Sequence, residues 1–183
     1  MVLQSRCQHW RISPPSENEG LTWIKNKINN TTMISELNIR TALRLSYGAP
    51  YAAIKLLKNQ SWKERKEFYD QLNHALNTDV IILLPLINNN KAIQKIEWLS
   101  TLLGDALKWH YGINYCINAD YYHLVYWLGQ FIPKEIIAIS FNQWLTCKHY
   151  ISNVGPRTRE LYLIEQLLNW KKLIIYAKKW GGF

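Results

Sequence analysis

The sequence predicts an all-α protein in two parts, a small three-helix bundle followed by a larger helical domain, behind a short N-terminal stub. Two observations carry that prediction. From Leu21 almost to the end, apolar residues recur at three- and four-residue spacing, the period of a helix face packed on a core. After Ile12 no alternating run reads convincingly as a strand.

The elements follow in order. Residues Cys7 to Ile12, CQHWRI, alternate loosely and stop at Ser13-Pro14-Pro15, the pattern of a short strand ended by a turn. A single strand has nothing to pair with, so residues 1–13 read as the end of another domain. Ser16 with Glu19 forms a capping-box pattern, and Leu21, Ile24 and Ile28 set the first helix at Glu17 to Ile28. Leu37, Ala42 and Leu45 give a second stripe, about Ser35 to Tyr47, with Gly48 placed to end it in the left-handed conformation. Pro50 then opens a third helix carrying Ala53, Ile54 and Leu57. These three form the bundle, residues 14–60. The larger domain, residues 61–183, holds helices at Trp62 to Leu76, about Asp79 to Ile87, Ala92 to Tyr111, Ala119 to Phe131, Lys134 to Ser152 and Pro156 to Trp180.

Composition supports a folded chain. Nearly half of the 183 residues are apolar and nine are Trp, enough for one large core and one small one. The formal charge of +9 favours acidic partners, yet Lys and Arg are scattered as on an ordinary solvated face. Three cysteines, Cys7, Cys116 and Cys147, are an odd number without a C-x-x-C pair. That count favours neither a disulfide framework nor a zinc site and fits a reducing cytoplasm. The longest apolar run, Val80 to Ile87, is interrupted by Pro85 and is too short to span a bilayer.

The motif search is mostly exclusionary. A G-x-x-x-x-G-K-[ST] phosphate loop is absent, so no ATP site is expected on this chain, and no cofactor or metal site is expected either. Cys147 and His149 sit two apart, about 200° around a helix, which does not make a nucleophile and its base. The aromatic region Trp109, His110, Tyr111, Tyr115, Tyr121, Tyr122, Tyr126 and Trp127 has the residue types that stack unpaired bases, but packing in a core or subunit interface accounts for it more simply. Lys171, Lys172, Lys178 and Lys179 are candidate phosphate contacts for a free-standing basic module that binds DNA or RNA, the alternative reading. The triplet Ser5-Arg6-Cys7, just before CQHWRI, has the form of an arginine at a domain rim that reaches a neighbour's transferring phosphoryl group.

Four segments, in order, resemble the delta-prime family of bacterial DNA polymerase III clamp-loader subunits. LQSRCQHW is similar to the family's finger segment, which leads into the last strand of its AAA+ domain. TALRLSYGAPYAAIKLL, from Thr41 to Leu57, resembles the second and third lid helices around their Gly-x-Pro turn. WLSTLLGDALKWHYG, from Trp98 to Gly112, resembles a collar helix, and GPRTRELYLIEQLL, from Gly155, resembles the start of the last one.

The resemblance implies an AAA+ remnant over 1–13, a lid over 14–60 and a collar for oligomerisation over 61–183. It implies that Arg6 acts as an arginine finger in trans, with Ser5 and Cys7 fixing its backbone. Tyr51 stands where motor subunits carry a nucleotide-contacting lid arginine, which implies a non-catalytic subunit of the polymerase holoenzyme. The partners implied are gamma/tau-type and delta-type subunits holding ATP and Mg, with the sliding clamp and primer-template DNA reached through the assembly. The family's nucleotide-binding domain and its zinc-binding cysteines have no counterpart in these residues.

Overall fold

The structure, a computed structural model, describes residues 13–28 and 34–180, and every regular element among them is helical. The strand expected at Cys7–Ile12 lies outside the described residues. The chain divides into two compact units, with the boundary between Leu57 and Lys58.

The first unit contains α1 (Glu17–Lys27), α2 (Glu36–Leu45) and α3 (Pro50–Lys58). The capping box forms at the start of α1: the Ser16 hydroxyl accepts from the Glu19 amide, and the Glu19 carboxylate accepts from the Ser16 amide at 2.8 Å. Two otherwise unpaired amides are thereby satisfied. Leu21 and Ile24 of α1 are buried, as are Ile39, Ala42 and Leu43 of α2 and Ala53 and Leu57 of α3. Around this small core the polar contacts are ionic. Glu17 accepts from Arg40 at 3.0 Å and Arg44 at 2.9 Å, and Lys25 reaches Glu36 at 2.6 Å, so α1 and α2 are laced along their outer edge.

The second unit holds α4 (Gln60–Asn77), a 3-10 turn (Val80–Leu83), α5 (Leu84–Ile87), α6 (Ala92–His110), a 3-10 turn (Ala119–Tyr121), α7 (Tyr122–Phe131), α8 (Lys134–Ile151) and α9 (Pro156–Trp180). Helix α6 packs on α7 and α8, and α8 packs on α9, around a core that includes Leu72, Leu99, Leu102, Leu163 and Leu167. Trp144 of α8 meets Trp170 of α9 edge to face, with ring centres 5.6 Å apart and planes at 89°. Gly129 of α7 lets that helix approach α6: a Cβ there would lie 2.5 Å from the Trp109 indole.

One stretch departs from the sequence expectation. The single helix expected over Asp79 to Ile87 is two short elements, with the Asp79 carboxylate accepting from the Ile81 amide at 3.0 Å to cap the first. Pro85 is the reason. It has no amide proton to give to the Ile81 carbonyl, and the Leu84 amide takes that carbonyl instead. No helix among the described residues is long and apolar enough to cross a membrane.

Candidate functional site

Of the residues singled out in the sequence, Ser5, Arg6 and Cys7 lie outside the described residues, and Tyr51 lies within them. Tyr51 is on the first turn of α3, 65% exposed, with Lys55 Nζ 4.8 Å from its ring centre. The turn that presents it is tightly specified. The Gly48 amide donates back to the Leu43 carbonyl at 2.9 Å and the Tyr47 amide to Arg44 at 3.1 Å, the paired bonds that close a helix C-terminus. The left-handed residue in that closure is Tyr47, at φ 52°, and Gly48 follows at φ 78°. A tyrosine held left-handed costs about 1 kcal/mol or more, and its side chain is almost wholly exposed. The turn therefore offers two phenols, Tyr47 and Tyr51, and the residue at position 51 cannot place a permanent positive charge on a ligand.

The other constellation is internal, and pattern reading missed it. Arg65 of α4 is buried, its side chain 2% exposed, and its guanidinium donates to Asp120 at 2.7 and 3.1 Å and to the Asn118 side-chain oxygen at 2.7 Å. Its flat faces lie against Tyr69, 4.6 Å from the ring centre, Trp62 at 5.0 Å and Tyr121 at 5.7 Å. Asn118 in turn donates its backbone and side-chain N–H groups to Asp105, each at 2.8 Å. Asp105 also accepts from Lys108 at 3.0 Å and from the Cys116 thiol at 3.4 Å. The Tyr69 hydroxyl lies 2.8 Å from the Trp98 carbonyl and 2.9 Å from the Asn118 oxygen.

Burial sets the electrostatics of this circuit. It pushes the Tyr69 phenol up to about 12, and it also raises Tyr121, whose hydroxyl donates to Asp70. Burial works against the Arg65 charge, but Tyr69 and Asp120 more than offset it and raise the guanidinium above its usual value. The guanidinium charge is met by Asp120, while its Nε is buried without a hydrogen bond, and the arrangement ties α4 to the α6–α7 connection. The cleft of about 230 Å³ beside it, lined by Asp105, Trp109, Cys116, Tyr122 and Val125, shares that occupied carboxylate.

The remaining candidates separate. Cys147 is fully buried, and burial pushes its thiol up to about 12, while His149 is exposed; the two do not meet. Trp109 packs edge to face with Tyr126 at 5.8 Å, and Tyr121 joins the core. Tyr111, Tyr115, Tyr122 and Tyr126 keep about half or more of their surface exposed. Among the four lysines, Lys171 bonds Asp79 at 2.6 Å and Lys172 is exposed.

Comparison with known proteins agrees with this division of the chain. Residues 15–58 match the family model described as DNA polymerase III subunit delta', AAA+ ATPase lid domain. Residues 59–172 match that of DNA polymerase III, delta subunit, C terminal. The chain is 35% identical over 173 residues to DNA polymerase III subunit delta' of Yersinia pestis, covering 93% of this chain and 51% of the relative. It is 32% identical over 177 residues to that of Buchnera aphidicola from Schizaphis graminum, covering 96% and 53%, and 30% identical over 168 residues to that of Escherichia coli K12, covering 91% and 49%. The chain spans about half the length of the curated relatives it matches. Two family models in sequence, lid and then C-terminal domain, together with these relatives, show that the chain belongs to the DNA polymerase III delta-prime subunit family.

Proposed function

We propose that this chain serves as the lid and collar of a non-catalytic clamp-loader subunit, supporting the loading of a sliding clamp onto primed DNA during replication in the cytoplasm. The observation that carries the reading is the unbroken order of a capped three-helix lid and a larger helical domain, matched by the two family models over residues 15–172. Tyr51 supports the non-catalytic part. A phenol at the lid turn gives bound nucleotide no fixed cation, so ATP and Mg belong to gamma/tau-type partner subunits.

Arg6 is the residue assigned to chemistry, as a finger reaching a neighbouring subunit's ATP. A guanidinium delivered there stabilises the charge that spreads over the transferring phosphoryl oxygens, an effect of about 10³–10⁵ in rate where fingers have been measured. Ser5 and Cys7 would set the backbone that aims it. The test is Arg6→Ala in the subunit with an AAA+ domain ahead of the lid, assembled with gamma/tau-type and delta-type partners. DNA-stimulated ATP hydrolysis should fall sharply while the assembly stays intact; unchanged hydrolysis removes the finger assignment.

A further inference from the structure

Helix α9 has two apolar faces. Leu163, Leu167, Trp170, Ile174 and Ala177 are buried in the core of the second unit. More than a third of the way around the helix from them, Leu161 is 70% exposed, Leu168 44% and Ile175 45%. These three are seven residues apart, with Ile164 half-buried between the first two. A seven-residue apolar repeat on the outside of a helix is the pattern of a seam that takes a second helix.

The charges beside this seam have an order. Glu165 and Lys172, both exposed, lie four residues past Leu161 and Leu168 respectively, on the flank turned away from the core. They are acidic toward the start of the helix and basic toward its end. In helix pairs such flanking residues choose the partner and its direction.

The length of the seam decides the kind of occupant. From Leu161 to Ile175 it runs about 21 Å, and two helices about 10 Å wide bury on the order of 400 Å² along it. A stable dimer needs roughly 1,200–2,000 Å². Two copies of this chain would not hold together on this surface alone, whereas a partner already tethered by other contacts in an assembly needs only orientation from it.

We propose that the outward face of α9 docks an amphipathic helix of a neighbouring clamp-loader subunit, with Leu or Ile at seven-residue spacing, a cation beside Glu165 and an anion beside Lys172. This rests on the clamp-loader reading above and names the surface and the partner chemistry that the reading leaves open.

The experiment uses the subunit with an AAA+ domain ahead of its lid, mixed with gamma/tau-type and delta-type subunits, with incorporation measured by native mass spectrometry. The triple variant Leu161→Ser, Leu168→Ser, Ile175→Ser changes exposed positions only, and circular dichroism checks that its helices are retained. It should join about 100-fold more weakly, and Glu165→Lys with Lys172→Glu about tenfold more weakly. A photo-crosslinking benzoylphenylalanine at position 168 of the otherwise unchanged subunit should attach to a partner helix with the stated spacing. Equal incorporation of the wild-type and triple variants, or crosslinks to a second copy of this chain, overturns the seam and leaves the clamp-loader reading standing. If the wild-type subunit does not join at all, that reading falls and the seam falls with it.

Discussion

The two units solve the same problem with charge in opposite ways. In the lid, Glu17, Lys25, Glu36, Arg40 and Arg44 pair around the outer edge of a small core, where water and salt reach them. In the collar, Arg65 and Asp120 pair inside, with Asn118 and Asp105 continuing the circuit. Exposed pairs contribute roughly 0–1 kcal/mol each and weaken with salt. A buried pair adds little compared with an apolar replacement, but removing one partner strands the other without solvent. The lid is therefore tolerant of change at its charges, and the collar is not at Arg65 and Asp120.

The sharpest way to break this contrast is Asp120→Ala. It leaves the Arg65 guanidinium buried without its carboxylate, and the collar should lose about 3–5 kcal/mol. Denaturant melts followed by methyl NMR separate the units, using Leu43 for the lid and Leu72 and Leu102 for the collar. A loss below about 1 kcal/mol in the collar would mean that the Arg65 charge finds other support.

pH should part the units most clearly in alkali. The Tyr69 phenol, raised from 10.0 to about 12 by burial, keeps its proton in the folded collar while the unfolded chain gives it up. Stability from this group is complete below about pH 10 and falls as pH rises toward 12, by roughly 2–3 kcal/mol. In the lid the signs reverse. Hydrogen bonds from Ser16 hold the Glu19 carboxyl below its ordinary 4.5, and Lys25 and Arg40 do the same for Glu36. The stability they contribute is present above about 4.5 and lost as pH falls through their lowered values. Collar methyl signals should therefore shift first in alkali, while in acid the lid loses the hold on Glu19 and Glu36 and the collar loses that of Lys171 and the Ile81 amide on Asp79, whose carboxyl is also held low; lid signals that shift first in alkali would refute the assignment of charges to the two units.

The smallest effect sharpens the comparison on the lid side. Ser16→Ala removes one half of the capping box and should cost the lid about 0.5–2 kcal/mol without moving the collar transition. The same two-unit melt reads it, and a change confined to the collar methyls would contradict the division.

The helices were legible because their signals are local. Ser16 with Glu19, the stripe Leu21–Ile24 and the pause at Gly112 each lie within a few residues of what they determine. Pro85 was visible too, but its effect depends on whether the Leu84 amide takes over the Ile81 carbonyl, which a periodicity count does not weigh. Tyr47 gives the same lesson, since the nearby glycine drew attention from the residue that takes the left-handed turn. The buried circuit had no local signal. Arg65 lies 55 residues from Asp120 and 53 from Asn118, and in sequence Arg65 sits in Lys-Glu-Arg-Lys, indistinguishable from a solvated face. Leu161, Leu168 and Ile175 read as part of one apolar helix; that they face away from the core emerges only when Leu163 and Trp170 are seen inside it.

Asn118 is the joint of that circuit, accepting from Arg65 through its oxygen and giving both N–H groups to Asp105. In evolutionary terms this makes Arg65, Asp105, Asn118 and Asp120, drawn from three stretches of the chain, one inherited unit. A lone Asp at 118 would set two carboxylates against each other, and a lone loss at 65 would strand Asp120. A wholesale exchange for well-packed apolar side chains, by contrast, costs little. Lineages should thus keep the set or discard it together, and the half-changed intermediates are the ones selection removes.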